Sequence, residues 1–144
     1  HMVIQKDGMQ CSCGKAGCFE AYCSIKEFKT EIKQELERLG ITQIETPQEF
    51  MQNLILNQKD NNIANIINEY VENLIVGLSN IIDIFEPEVI CFGGSFVYYK
   101  ELLFDETIKR LKERKYTFNK NSFPEFVLAQ LKNDAGIIGA TIIP

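Results

Sequence analysis

The ten residues Cys11-Ser12-Cys13-Gly14-Lys15-Ala16-Gly17-Cys18-Phe19-Glu20 hold three cysteines, two glycines and a carboxylate. Three thiolates at about 2.3 Å from one ion call for a fourth ligand to complete the closed tetrahedron of a structural zinc site. Gly14 and Gly17 can take the positive φ that curls a short loop around such an ion. His1, the one histidine of the chain, is the candidate fourth ligand, with Cys23 as an alternative at the point where the first long helix begins. Plain free or buried thiols are the competing reading. A thioredoxin-like redox site is disfavoured because no Cys-x-x-Cys pair is present. Cys91 lies within an apolar run and reads as a small core residue. Glu20, taken by itself, is either a ligand-facing acid or a first-turn carboxylate that complements a helix dipole.

These residues need elements to position them. Met2 to Gln5 is a short strand candidate, and Asp7-Gly8 a turn leading into the cysteines. Ser24 with Glu27 three positions on has the pattern of a capping box, and Ile25, Phe28, Ile32, Leu36 and Leu39 recur at helical spacing until Gly40 ends them. Thr46-Pro47-Gln48-Glu49 starts a second helix through Phe50, Met51, Leu54 and Ile55, followed by a polar loop over 57–62. A third helix is predicted from about Ile63 to Phe85, its apolar stripe running through Ile67, Val71, Leu74, Leu78, Ile81 and Phe85. Pro87 closes it, because a proline disfavours helical backbone at the residue before it. Glu88 to Phe92 then fits a buried parallel strand, Gly93-Gly94 a tight turn, Lys100 to Lys115 a helix, Glu125 to Leu131 a second strand, and Asn133 to Pro144 a glycine-rich helix capped by Asp134. Helices alternating with apolar strands in this order mean α/β layering.

Composition narrows the partners. The 144 residues are one domain's length, and 45% hydrophobic content suffices for a core. A net charge of −5 argues against a nucleic-acid footprint, which needs clustered Lys and Arg. The one basic cluster, 109–115, has the spacing of a solvated helix face. No stretch has the length and apolarity of a membrane span, and no leader peptide opens the sequence, so a cytoplasmic protein is expected. Five cysteines without signs of secretion do not suggest a disulfide framework. His1-Met2 has the look of a tag remnant, and a piece cut from a longer protein is expected.

Three segments together carry a resemblance. Cys11 to Ser24, CSCGKAGCFEAYCS, resembles the CxCGxxGCxE signature of the ROK family, the sugar kinases and sugar-responsive repressors built on the actin-like ATPase fold. PEVICFGGS, from Pro87 to Ser95, resembles the strand and Gly-Gly turn before that family's nucleotide site, and NDAGIIGAT, from Asn133 to Thr141, its carboxy-terminal DAGxxGA segment. The implied fold is α/β and helix-rich, a partial actin-like ATPase (ribonuclease H-like) carboxy-terminal domain with a zinc-binding loop. It would divide into a zinc-loop region (1–23), a helical region (24–85) and a nucleotide-side α/β region (86–144).

The resemblance also assigns roles. Zinc would be held by Cys11, Cys13, Cys18 and His1, the last standing ten positions before Cys11 as the histidine of the family's ExGH motif does. Glu20 and His1 would hydrogen-bond the hydroxyls of a hexose, and Gly93 and Gly94 would border the adenosine and phosphates of ATP, with Mg in the full-length protein. No catalytic residue is assigned, because the DxGxT phosphate loop and the catalytic aspartate have no counterpart in this sequence. The implied parent is an ATP-dependent hexose kinase, glucokinase- or fructokinase-like, of which this chain alone would be inactive. The alternative is the effector domain of a ROK-family sugar-responsive transcriptional repressor, and a blander one is a zinc-stapled interaction domain. The run from Glu20 through Tyr22 to Ser24 is closer to the kinases. A homo-oligomer is expected, since exposed strand edges and apolar faces favour self-association.

Overall fold

A computed structural model describes residues 1–114 and 123–131, together with Asp134, Ile138, Ala140 and Thr141. The end of the basic run at Lys115 and most of the glycine-rich Asn133 to Pro144 segment, Gly136 and Gly139 included, lie outside the described residues. The chain divides into two compact units, His1–Leu74 and Ile75–Pro144.

In the first unit a folded loop leads into α1 (Phe19–Cys23), α2 (Ile25–Arg38), α3 (Pro47–Asn57) and the start of α4 (Asn61–Phe85). The capping signals act largely as their chemistry dictates. The Ser24 hydroxyl accepts from the Glu27 amide at 3.2 Å to open α2, and Gly40 leaves it at φ 83°. Thr46 and Glu49 close a full reciprocal capping box with Pro47 in the first turn of α3. The start of α4 is set by a residue that the sequence hides inside a polar loop: the Asp60 carboxylate accepts from the amides of Asn62 (3.0 Å) and Ile63 (3.3 Å). Asp60 also receives Arg38 at 2.8 Å, and Arg38 pairs with Glu35 at 2.5 Å.

Phe28, Ile32 and Leu36 from α2, Phe50 and Leu54 from α3, and Ile63, Tyr70, Val71 and Leu74 from α4 are buried. Each such side chain contributes roughly 1.5–3 kcal/mol of burial energy. Phe28 and Tyr70 meet at 4.9 Å between ring centroids, the tilted geometry that aromatic quadrupoles favour. The predicted first strand is reduced, among the described residues, to one isolated antiparallel bridge of Val3 to Cys18.

In the second unit Ile75, Leu78 and Ile82 are buried along the remainder of α4, while Phe85 at its end is exposed. β1 (Val89–Phe92) pairs in parallel with β2 (Glu125–Leu128), Ile90 opposite Phe126 and Phe92 opposite Leu128. Alternation then puts those four residues on one face. On that face Phe92 stacks on Phe96 at 4.9 Å and meets the edge of Phe104 at 5.3 Å. Val89 and Cys91 point the other way and are exposed. Cys91 is therefore not the core residue expected, because among the described residues this small sheet is covered on one face only.

The helix expected from Lys100 begins instead in two unusual turns. Gly94–Tyr99 is a 3₁₀ helix and Lys100–Phe104 a π turn, with α5 (Asp105–Arg114) regular only beyond them. The Asp105 amide reaches back to the Lys100 carbonyl, and Lys100 Nζ pairs with the Asp105 carboxylate at 2.7 Å. Lys109, Lys112 and Arg114 are exposed on α5, as a solvated face requires, while Leu111 is buried. Among the described residues no helix is long and apolar enough to cross a membrane.

Candidate functional site

The cysteine loop is built on backbone pairing. The Ile4 and Gln5 amides donate to the Gly17 carbonyl at 2.8 and 3.2 Å, the Gly17 amide to Met9 O at 2.7 Å, and the Phe19 amide to Met2 O at 2.7 Å. Gln10 bridges Ala16, and the Cys11 amide donates to Lys15 O at 2.8 Å, which folds 11–15 into a tight turn. Gly14 (φ 86°) and Gly17 (φ 78°) both sit in the left-handed region, as their positions in the loop imply. A Cβ on Gly17 would fall inside the Gln5 carbonyl group, whereas one on Gly14 would meet nothing within 4 Å. Gly17 is thus needed for conformation and for space together.

This platform converges four side chains. The ligand atoms of His1, Cys11, Cys13 and Cys18 all lie within 4.8 Å of one another. Cys13 Sγ is 3.6 Å from Cys18 Sγ, and Cys11 Sγ is 3.5 Å from His1 Nδ1. A tetrahedral ion with metal–sulfur bonds of about 2.3 Å and metal–nitrogen bonds of about 2.0 Å would set edges of about 3.8 Å between sulfurs and about 3.5 Å between sulfur and nitrogen. Those two separations lie close to these edges. The donor set, three sulfurs and an imidazole, suits a borderline-soft divalent ion.

The thiols are electrostatically unequal. The Lys15 backbone amide, then the neighbouring sulfurs and the Lys15 charge, hold Cys13 below the ordinary thiol value against some desolvation, and its side chain is exposed. Burial, then the Cys13 and Cys11 sulfurs, push Cys18 up to about 11. Cys18 is fully buried and Cys11 nearly so. Cys23 does not join the cluster: it ends α1, and burial raises its thiol to about 12.

Glu20 sits in the first turn of α1. Its Oε2 lies 2.9 Å from His1 Nδ1, and both side chains are half exposed, at 53% and 49%. The carboxylate is therefore open to a ligand, beside the sulfur cluster. Three positioning contacts escaped the sequence reading. Lys15 Nζ donates to the His1 carbonyl at 2.8 Å, the Met9 amide donates to the Tyr22 hydroxyl at 2.6 Å, and the Tyr70 hydroxyl donates to the Cys23 carbonyl at 2.7 Å. Together the two phenols tether α1 to the loop on one side and to α4 on the other. The partners of Tyr22 and Tyr70 lie 13 and 47 positions away, so local sequence carries no sign of these bonds.

In the second unit Gly93 and Gly94 follow the carboxyl end of β1, where open parallel sheets place ligands. Gly94 has φ 61° and needs a glycine; Gly93 is extended, and a Cβ there would make an ordinary 3.8 Å contact with Ala129. Asp134 donates its amide to Leu131 O at 2.9 Å.

Comparison with known proteins gives the family and the fold. The ROK family profile matches residues 1–144. The xylose repressor of Bacillus subtilis is 26% identical over 143 residues, covering 99% of this chain and 35% of its own length. The glucokinase of Thermotoga maritima is 27% identical over 153 residues, covering 99% of this chain and 47% of its own. Among solved structures, a ROK family glucokinase from Streptomyces griseus in complex with glucose and AMPPNP superposes with a TM-score of 0.71 at 25% identity, over 97% of this chain and 48% of that one. The chain thus spans between a third and a half of the length of these relatives.

Proposed function

The chain belongs to the ROK family, with its actin-like ATPase fold, and from that membership we propose that it is the carboxy-terminal portion of an ATP-dependent hexose kinase of the glucokinase or fructokinase kind. The observation that carries this reading is Glu20: an open carboxylate on a tethered helical turn, 2.9 Å from His1 and next to three converging sulfurs. A carboxylate accepts hydrogen bonds only, and sugar hydroxyls are donors that suit it.

In this reading Cys11, Cys13, Cys18 and His1 hold zinc, which when bound supplies a rigid closure of the loop and no chemistry at the sugar. Glu20, with His1, takes the hexose hydroxyls. Gly93 and Gly94 let the backbone approach ATP and its Mg in the full-length protein. Phosphoryl transfer is mostly positioning and charge stabilisation around metal-bound phosphate, so this chain, without the phosphate loop and catalytic aspartate, contributes binding surface and not turnover. Self-association belongs to the same reading.

The test is hexose-dependent ADP formation by the full-length protein that carries this chain. Glu20→Gln is expected to lower kcat/KM for the sugar about 10- to 100-fold, the worth of one hydrogen bond to a charged acceptor at roughly 1.5–3 kcal/mol. A second reading, the sugar-responsive repressor, draws on the xylose repressor match over 99% of the chain. Operator binding released by a sugar, with no ADP formed by the wild-type protein, would install that reading in place of the kinase.

A further inference from the structure

A cavity of about 320 Å³ opens in the first unit between α1, α2, α4 and the loop before the cysteines. None of its lining residues belongs to the sulfur cluster or to the His1–Glu20 pair. Tyr22 lines it, and at 3.6 residues per turn that side chain leaves α1 roughly 200° around from Glu20. The cavity is thus a separate place from the candidate sugar site.

Helical spacing builds its walls. Phe28 and Glu31 stand three apart on α2, and Glu69, Tyr70 and Glu72 fall within one turn of α4. The aromatic parts are held in place by the protein itself. The Tyr70 hydroxyl donates to the Cys23 carbonyl at 2.7 Å, and its ring packs on Phe28 at 4.9 Å. The Tyr22 hydroxyl accepts from the Met9 amide at 2.6 Å, in a space that Gly8 leaves open, since a Cβ there would overlap it. A ligand would meet rings already ordered, which lowers the entropic cost of binding.

The lining has three carboxylates, Glu31, Glu69 and Glu72, and no lysine, arginine or histidine. Burial first, then the charges of Glu69 and Glu27, hold the Glu31 carboxyl above its ordinary range. Like charges gathered from two helices beside apolar rings carry a cost that a cation offsets. A bare metal ion does not fit. It needs several oxygens at about 2.0–2.6 Å from one point, and among the described residues the only ligating groups that converge so are His1 and the three cysteines. An organic cation needs no such point, and the faces of Phe and Tyr rings attract it as well.

We propose that this cavity binds a small alkylammonium ion, its charge against Glu31 and Glu69 and its methylene carbons against Tyr22, Phe28 and Tyr70. The site stands independently of the zinc and hexose readings. Its occupant would touch both phenols that hold α1, and so border the support of Glu20 without touching the acid.

The experiment titrates the ¹⁵N-labelled whole chain with 1,5-diaminopentane at about pH 7, where alkylamines are charged, and at fixed ionic strength. 1,5-Pentanediol is the uncharged counterpart. The expected result is saturable amide shifts at Tyr22, Glu31 and Glu69 with a midpoint of roughly 1 mM, the scale of a ligand of so few atoms. The diol should bind at least about 10-fold more weakly, and Glu31→Gln and Glu69→Gln should each weaken the diamine about 3- to 10-fold. Glu45→Gln, an exposed acid outside the cavity, should leave it unchanged. Both lining acids are exposed, so these variants keep the core intact, and unchanged tryptic stability confirms it. Shifts that never saturate, or equal weakening by all three variants, would mean general attraction to a chain of net charge −5 and would overturn the site. Diol binding as tight as the diamine would overturn the ammonium assignment.

Discussion

Replacing Gly17 with alanine probes whether the backbone platform, and not the cysteines alone, makes the site. Gly17 has φ 78°, its amide donates to Met9 O at 2.7 Å, and its carbonyl accepts from Ile4 at 2.8 Å. The left-handed conformation costs a residue with a Cβ about 1–2 kcal/mol. The new Cβ would also land in the Gln5 carbonyl, so the Gln5 and Gly17 segments must part. Losing the Ile4 and Gln5 amide bonds to the Gly17 carbonyl, which join these segments, adds about 1 kcal/mol each. The total, about 3–4 kcal/mol, corresponds to a zinc affinity lower by about two to three decades. Gly14→Ala is the internal control, since it has the same strained φ (86°) and open space around the Cβ. It should lose only the conformational part, about 5- to 30-fold. Chelator competition reads both variants, and amide exchange at Ile4 and Gly17 reads the platform without metal. Equal losses in the two variants would refute the argument, because space at Gly17 would then be irrelevant to the cluster.

Two further outcomes follow from the charge distribution. In the reduced, metal-free chain Cys13, exposed and with a lowered thiol value, should alkylate before Cys18 (about 11) and Cys23 (about 12), and one equivalent of zinc should protect Cys13 but leave Cys91 reactive. Mass spectrometry of the modified peptides gives the order, and Cys23 reacting first would contradict it. Hydrogen bonds from Arg38 hold Glu35 and Asp60 below their ordinary carboxylate values. Depressed folded-state values stabilise above the unfolded carboxylate range, and that contribution fades as pH falls through the folded values. The wild type should therefore lose more stability than Arg38→Ala as pH is lowered from about 5 to about 3 in urea titrations. Parallel curves would show the network to be without effect.

The parts legible in the sequence were those whose signals are local. Ser24, Gly40, Thr46 and Glu49 mark helix ends by chemistry confined to one turn, so α2 and α3 could be bounded closely. The cysteine and glycine spacing likewise announced the cluster that the backbone assembles. What was missed depends on distant partners. α1 is five residues long, too short for a period, and is held by Tyr22 and Tyr70. Asp60 is the exception: its cap on the amides of Asn62 and Ile63 is as local as that of Thr46, but the polar run 57–62 around it reads as a loop. Cys91 has an apolar sequence context, yet its exposure is decided by which face of the two-stranded sheet is covered. The 3₁₀ and π turns over 94–104 accompany the packing of Phe96 and Phe104 on Phe92, again a non-local cause.

Ser24 joins two helices with one extended residue, and every polar group it owns is committed to them. Its amide donates to Glu20 O at 3.0 Å, its carbonyl accepts from Phe28 at 3.2 Å, and its hydroxyl takes the Glu27 amide. The bend between α1 and α2 is in effect a welded corner, whose angle is fixed by a single ψ of 136°. The acid on α1 therefore keeps its bearing relative to the long helix that follows it.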